Sequence, residues 1–156
     1  MMKNQKTIAQ LTYLEDDIAE KILPIFKEII SHNPKTVFLF HGQLGAGKTT
    51  LIRQILQHLF GISKVTSPTF AYLNQYDCKE LSINHFDLYR LNSFEEFLAQ
   101  GFNDEITQNL GPSFIEWPEV AMEFFLSISD QPVYIINLKH LFVNGVNLRE
   151  FVLTTR

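Results

Sequence analysis

The chain has 156 residues, which is enough for one domain across residues 1–156, and 46% of them are hydrophobic, so a core can form and intrinsic disorder is excluded. Its 13 Lys and Arg against 17 Asp and Glu give a net charge of −4, which excludes the broad basic face of non-specific nucleic-acid binding. Residues 1–6 lead into no signal-peptide core, and no apolar run approaches the ~20 residues of a membrane helix. Cys78 is the only cysteine, so no internal disulfide can form, which fits a reducing compartment. We therefore expect a cytoplasmic protein.

The first part of the chain predicts alternating strands and helices. A strand over residues 7–11 precedes a helix that opens at the acidic residues 15–17, and Pro24 should kink or split that helix. Residues 36–40 are too continuously apolar for a strand with one wet face, so they predict a central strand covered on both sides. A glycine-containing loop then leads into a second helix over residues 48–60.

The rest of the chain predicts shorter elements. Strands are expected at residues 70–76 and 81–86, joined by a polar turn, and at residues 113–116 and from residue 133. Ser93 and Glu96 form a capping-box pattern for a short helix that Gly101 closes, and Asn144 with Gly145 predicts a hairpin. Together these elements predict an α/β fold: a mixed, largely parallel central sheet flanked by helices, with an antiparallel C-terminal hairpin.

Residues 42–49 match the phosphate-loop pattern G-x-x-x-x-G-K-[ST], between an apolar strand and an amphipathic helix. The glycines let backbone N–H groups converge on phosphate oxygens, and the start of the helix adds the positive end of its dipole. Lys48 would neutralise the β and γ phosphates of ATP, and Thr49 would offer its hydroxyl to Mg²⁺. A glycine-rich turn that matches by chance is disfavoured by the flanking elements, so the sequence predicts a P-loop NTPase-like fold.

Two acidic residues end predicted strands at the sheet edge where the loop opens. Asp87 follows the strand at residues 81–86, as in P-loop enzymes that hold a water of the Mg²⁺ shell, and Glu116 ends the strand at residues 113–116. Each acid alone would more often cap a turn. The nearby phosphate loop makes both acids candidates for metal binding and catalysis. Because Leu88 rather than a second acid follows Asp87, we expect slow hydrolysis by the isolated chain.

The residues around these acids leave alternatives open. Residues 66–69 lie where P-loop proteins place a mobile segment that senses the γ-phosphate, although the residues alone favour an ordinary polar turn. His85 should face away from Phe86 as a packed histidine rather than a base, and His41 is interpreted in the same way. Trp117 either lines the nucleotide pocket or fills a hydrophobic gap.

Four segments in this order resemble the bacterial TsaE (YjeE) family of ATPases, which are required for making threonylcarbamoyladenosine in tRNA. They are GQLGAGKTT at residues 42–50, SPTF at 67–70, HFDLYRL at 85–91 and IEWPE at 115–119. The resemblance implies a P-loop fold, MgATP binding with slow hydrolysis, and action alongside the TsaB–TsaD pair that transfers the threonylcarbamoyl group to adenosine beside the anticodon. Contact with tRNA would then be indirect, through that complex.

The resemblance also implies roles for individual residues. Thr49, Glu116 and Asp87 would serve the metal, and Lys48, Asp87 and Glu116 would serve catalysis. The residues that would contact the nucleotide are Asp16, Gly42, Gly45, Ala46, Gly47, Lys48, Thr49, Thr50, Thr66, Ser67, Thr69, Trp117 and Arg149. The family's usual acid after the first glycine is Gln43 here, which removes a carboxylate but leaves the backbone cradle intact.

Three other functions could use the same loop. A small P-loop kinase that phosphorylates a metabolite would carry a lid with several arginines, whereas the four arginines here do not cluster: Arg53, Arg90, Arg149 and Arg156. A GTPase would carry N-K-x-D, and the nearest string, at residues 137–140, lacks both the adjacent Lys and the Asp. A nucleotide-gated adaptor, in which the ATP state controls partner binding, overlaps with the family expectation.

Overall fold

The computed structural model describes residues 5–156, so the first four residues of the expected signal-free N-terminus lie outside the described residues. The strands are β1 (Thr7–Tyr13), β2 (Val37–His41), β3 (Leu73–Cys78), β4 (Leu81–Asp87), β5 (Ser113–Glu116), β6 (Val133–Val143) and β7 (Val146–Thr155). The α-helices are α1 (Leu23–His32), α2 (Lys48–Phe60), α3 (Phe94–Ala99), α4 (Phe102–Gln108) and α5 (Met122–Ser127). In residues 5–156, no helix is long and apolar enough to span a bilayer.

All of these strands join one sheet, in the order β1-β7-β6-β2-β5-β4-β3. The pairs β6–β2, β2–β5 and β5–β4 are parallel, whereas β3, β7 and β1 add antiparallel edges. In β2, Val37 through Phe40 are at most 1% exposed, as expected for a strand covered on both faces. The predicted α/β fold, with its largely parallel centre and C-terminal hairpin, is therefore confirmed.

Each face of the sheet carries its own hydrophobic cluster, because successive strand residues point to opposite sides. The face covered by α1 and α2, which we call the α2 face, contains Phe38, Phe40, Ile83, Phe114 and Ile136. The face covered by α3, α4 and α5, which we call the α4 face, contains Val37, Leu39, Phe86, Ile115 and Ile135. The phosphate-loop helix thus lies over one face only.

The N-terminal helix is split at the place that the sequence predicts. A 3-10 turn (Glu15–Asp17) and a π-helical turn (Ile18–Ile22) precede α1, and Pro24 lies in its first turn. A proline is tolerated there because the first N–H groups of a helix have no intrahelical partner. Half of the predicted capping box is confirmed, since the Ser93 hydroxyl accepts a hydrogen bond from the backbone N–H of Glu96. The Glu96 carboxylate instead accepts from the backbone N–H of Asn92 at 2.9 Å.

One predicted strand begins at the wrong residue, and two helices were not predicted. The strand expected over residues 70–76 begins only at Leu73, because residues 69–71 form a turn and Tyr72 has a φ of 63°. Phe70, expected within that strand, is 80% exposed. The helices α4 and α5 were not predicted, because each spans only six or seven residues and shows little of the periodicity that identifies longer helices.

Candidate functional site

The phosphate loop connects β2 to α2 in a conformation that depends on glycine. Gly47, directly before the helix, has a φ of 100°, and Gly42 has a φ of 150°. A Cβ atom on Gly42 would lie 2.5 Å from the carbonyl oxygen of Leu138, so no other residue fits without displacing the middle of β6. The sequence pattern is thus matched by the backbone geometry that a phosphate cradle needs.

Lys48 lies at the mouth of this loop and is 5% exposed. Its Nζ donates hydrogen bonds to the carbonyl oxygens of Gly42 at 2.5 Å and Gln43 at 3.2 Å, and it lies 3.8 Å from the centre of the Trp117 ring. Burial lowers the pKa of Lys48 below its usual value of 10.5, although the nearby carboxylates, Glu116 first, oppose that shift. The ammonium group is therefore partly desolvated and positioned for an anionic ligand.

Glu116 joins the loop helix to the sheet. Its Oε2 accepts a hydrogen bond from the Thr49 hydroxyl at 2.8 Å, and its Oε1 lies 2.8 Å from Nε2 of His85. The carboxylate is nearly inaccessible, since the residue is 2% exposed. The structure thus brings together Thr49 and Glu116, which the sequence predicts as partners at a metal site.

Asp87 lies directly opposite Glu116 in the register of β4 and β5. Its Oδ2 accepts a 2.6 Å hydrogen bond from the Thr69 hydroxyl, and its Oδ1 accepts one from the backbone N–H of Tyr89 at 3.0 Å. Asp87 therefore caps a turn, as one alternative had it, and at the same time faces the site.

The segment at residues 66–69 is fastened at both ends. Ser67 and Thr69 share a 2.7 Å hydrogen bond next to Asp87. At the other end, the Asn74 side-chain amide donates to the carbonyl and the hydroxyl oxygens of Thr66, both at 3.0 Å. The sequence did not indicate Asn74, because its place opposite His85 depends on the register of β3 and β4, which no local pattern gives.

The oxygen atoms at this site suit a hard divalent cation. Thr49, Glu116 and Asp87 contribute a hydroxyl and two carboxylates at neighbouring positions. Within residues 5–156, no group of three or more His, Cys, Asp or Glu is arranged to hold a metal by itself. Mg²⁺ in phosphate sites takes only one or two carboxylates and completes its shell with water and phosphate oxygens, so these residues fit it.

Two hollows flank the phosphate loop. The first, which we call the site hollow, has a volume of about 310 Å³ and is lined by residues 44–50 with Thr69, Asp87, Tyr89, Glu116, Trp117 and Arg149. The second, about 560 Å³, lies between residues 42–46 and residues 137–140, with Glu150. A phosphate chain and a larger group can therefore lie on opposite sides of the loop.

Most of the remaining predicted residues line the site hollow. The Trp117 ring lies 4.8 Å from that of Tyr89, and Trp117 has a φ of 56°, an unusual conformation for a bulky residue. The indole thus lines the hollow rather than filling a gap in the core. Arg149 also lines it, whereas Asp16 is exposed in the turn Glu15–Asp17 and does not line either hollow beside the loop.

The two histidines differ from each other. His41 is not packed in the core as expected: its side chain is 20% exposed, and Nδ1 lies 2.8 Å from Oε1 of Glu119. Burial alone would raise the pKa of Glu119, but the hydrogen bond with His41 and the charges of His41 and Lys48 bring it below its usual value. His85 is fully buried, as predicted, and its contact with Glu116 was not predicted.

Comparisons with known proteins agree with this geometry. The family model of the threonylcarbamoyl adenosine biosynthesis protein TsaE matches residues 16–141. A tRNA threonylcarbamoyladenosine biosynthesis protein TsaE from Rickettsia typhi is 35% identical over 126 residues, which cover 79% of this chain and 83% of the relative. That from Rickettsia prowazekii is 35% identical over 119 residues, covering 74% and 78%.

The fold is also similar to that in the crystal structure of YdiB from Bacillus subtilis. The TM-score is 0.64, with 22% sequence identity, and the match covers 96% of this chain and 87% of that chain. At that identity the likeness shows the fold alone.

Proposed function

The chain belongs to the TsaE family of threonylcarbamoyl adenosine biosynthesis proteins, and from this premise we propose that it is a magnesium-dependent ATPase that acts in tRNA modification. The proposal includes a single domain over residues 1–156, a cytoplasmic setting, and TsaB–TsaD as the partner through which it meets tRNA. The observation that carries it is the hydrogen bond from Thr49 to Glu116 beside the buried ammonium of Lys48.

The phosphate loop supplies the binding step. Backbone N–H groups of Gly42 and of residues 45–50 would hold the phosphate oxygens, and that of Ala46 would first leave the carbonyl oxygen of Gln43. Lys48 would exchange its two loop carbonyl partners for the β and γ phosphates, and this exchange is favoured because phosphate is charged and the carbonyls are not.

Thr49, Glu116 and Asp87 would hold the metal. A bound Mg²⁺ would supply neutralisation of the charge that develops on the phosphates. Glu116 keeps the Thr49 hydroxyl oriented, and Asp87 links the metal side of the site to the segment at residues 66–69 through Thr69.

Slow turnover by the isolated chain follows from the groups that flank Asp87. Leu88 is 1% exposed and has no proton-accepting group, so it cannot orient an attacking water. Arg90 lies 4.2 Å from the centre of the Phe70 ring, outside the site hollow, and so does not act as an arginine finger in this conformation. In other P-loop proteins such a finger contributes ~10³ to 10⁵ in rate and often comes from a partner.

The kinase alternative has less support in the positions of the arginines. Arg156 donates hydrogen bonds to the carbonyl oxygens of Leu126 and Ile128, and neither Arg53, Arg90 nor Arg156 lines the site hollow. Arg149 does line it, which leaves the site short of the several arginines expected in a kinase lid.

Phosphate release from MgATP tests the proposal. It should be measured for the purified chain alone, with TsaB–TsaD, and with candidate acceptor metabolites, in each case beside Lys48→Ala. We expect slow release alone, faster release in the verified complex, and none from Lys48→Ala in either preparation. Equal release with and without TsaB–TsaD would exclude partner activation, and phosphate transfer to a metabolite would favour the kinase.

A further inference from the structure

His85 contacts Glu116 from inside the sheet, although it faces no solvent and does not line the site hollow. We propose that His85 is a positioning residue: its Nε2–H fixes the orientation of the Glu116 carboxylate and thereby strengthens Mg²⁺-dependent nucleotide binding. This inference rests on the proposed function, because it assigns His85 a part in the same metal site.

The direction of the contact follows from the two groups. An ionised carboxylate accepts hydrogen bonds only, so Nε2 of His85 is the donor to Oε1 of Glu116 at 2.8 Å. Oε2 of the same carboxylate accepts from the Thr49 hydroxyl at 2.8 Å. The same hydroxyl also lies 3.0 Å from Oε1, so His85 on the sheet and Thr49 on the loop helix hold the carboxylate between them.

The opposite side of the imidazole ring has no such partner. Nδ1 of His85 is buried and has no hydrogen-bond partner in the part of the chain that the structure describes. A buried polar atom without a partner costs stability, and an apolar side chain at this position would avoid that cost. The residue is thus poorly suited to packing alone, and the polar contact left to explain it is the one with Glu116.

The neighbours of His85 show the apolar alternative. Ile83 lies two residues earlier on the same face of β4, is fully buried, and belongs to the hydrophobic cluster of the α2 face. Phe114, opposite His85 in the β4–β5 register, is also fully buried in that cluster. The imidazole is thus a polar side chain in an apolar layer, with its donor directed at the predicted metal ligand.

Calorimetric titration with ATP, in EDTA and in Mg²⁺, gives the measurement, and the ratio of the two affinities is the readout. The variants are His85→Leu, which removes the donor, and His85→Gln, whose amide nitrogen can reach the position of Nε2. Ile83→Val is the matched control, because it perturbs the same layer without touching Glu116. His85→Met replaces His85→Leu if the latter does not fold.

We expect His85→Leu to lower the Mg²⁺-dependent gain in affinity by about tenfold, with affinity in EDTA within about twofold of the parent, as for other residues that orient metal ligands. His85→Gln should restore most of the gain, and Ile83→Val should behave as the parent. In a Glu116→Gln background, His85→Leu should cause no further loss.

Several results would overturn the inference. They are an unchanged gain in a folded donor-free variant, an equal loss in His85→Gln or Ile83→Val, and a further loss in the Glu116→Gln background. A parent chain that does not bind ATP would instead refute the proposed function itself, so the two failures are distinguishable.

Discussion

The two faces of the central strands use the same backbone for different purposes. On the α4 face, the side chains of Leu39, Phe86 and Ile115 remain apolar to the carboxyl edge of the sheet, where Leu88 continues the cluster. On the α2 face, β4 and β5 are apolar at Ile83 and Phe114. Toward the carboxyl edge, the same face carries His85 and Asp87 of β4 and Glu116 of β5. At the carboxyl ends of β4 and β5, the polar side chains therefore lie on the face where the phosphate-loop helix begins.

At the carboxyl edge of the sheet, the side chains that stabilise the fold and those that would bind a ligand therefore lie on opposite faces of the same strands. Buried apolar side chains stabilise the fold roughly in proportion to the area removed from water, whereas buried carboxylates and ammonium groups cost free energy unless they are paired. Lys48, Asp87 and Glu116 are each at most 5% exposed. Because these charged groups lie at the proposed nucleotide site, we infer that their burial serves ligand binding rather than stability. Substitutions on the two faces should therefore have different consequences.

The largest effect on stability is expected for Phe38→Ala. Phe38 is fully buried on the α2 face, with its ring centre 5.0 Å from that of Phe26 and 5.2 Å from that of Phe114. Removing it should lower the free energy of unfolding by ~3–5 kcal/mol, measured by urea denaturation. Phe142→Ala, at a residue 69% exposed near the tip of the β6–β7 hairpin, is the matched control. A loss below ~1 kcal/mol for Phe38→Ala would contradict the core assignment.

The next largest effect is expected for Lys48→Ala on nucleotide binding. Because Lys48 lies at the loop mouth, its removal should weaken MgATP binding by about 100-fold or more, ~2.7 kcal/mol, by calorimetry. The melting temperature should not fall, because the variant removes a partly desolvated cation whose burial costs free energy. Lys27→Ala, exposed on α1, controls for the change in charge. Unchanged affinity in the folded variant would refute the phosphate-loop assignment.

Glu116→Gln and Asp87→Asn sharpen the comparison at the strand ends. Each amide keeps the shape of the acid and removes its charge, so thermal stability should be retained while ATP hydrolysis falls by about tenfold or more, at least ~1.4 kcal/mol in the barrier. Glu123→Gln, exposed on α5, is the control. A variant that hydrolyses ATP at the parent rate would show that its acid is a structural cap.

The smallest effect is expected in the fluorescence of Trp117, the only tryptophan. Its ring contacts the Lys48 ammonium, and a phosphate that draws Lys48 away would change the surroundings of the indole. Adding ADP or ATP should therefore alter the emission spectrum, and Lys48→Ala should abolish the response. An unchanged spectrum at saturating nucleotide, with binding verified by calorimetry, would show that the indole does not lie beside the nucleotide.

Much of the fold was predictable because local patterns carry it. The continuous apolar run of β2 indicated a strand covered on both sides, and Pro24 indicated the split before α1. The turn at residues 69–71 was not predictable in this way. Its first residue, Thr69, donates a hydrogen bond to Asp87, which is 18 residues away in the chain, and no local preference encodes that contact.

The site residues differ in the same way in how far the sequence predicts them. Gly42, Lys48 and Thr49 follow from a contiguous pattern, and Asp87 and Glu116 follow from their positions at strand ends. The contact of His85 with Glu116 and that of Asn74 with Thr66 join different elements. These two contacts depend on strand register and side-chain direction, and both became visible only once the sheet was assembled.

The most direct test of the central claim is calorimetric titration of the folded parent chain with ATP and with GTP, each in Mg²⁺ and in EDTA. We predict that ATP binds, that Mg²⁺ strengthens its binding, and that Glu116→Gln removes most of that strengthening. Absence of ATP binding, or an ATP affinity that is the same in EDTA and in Mg²⁺, would contradict the assignment of the polar edge of the α2 face to a magnesium–nucleotide site.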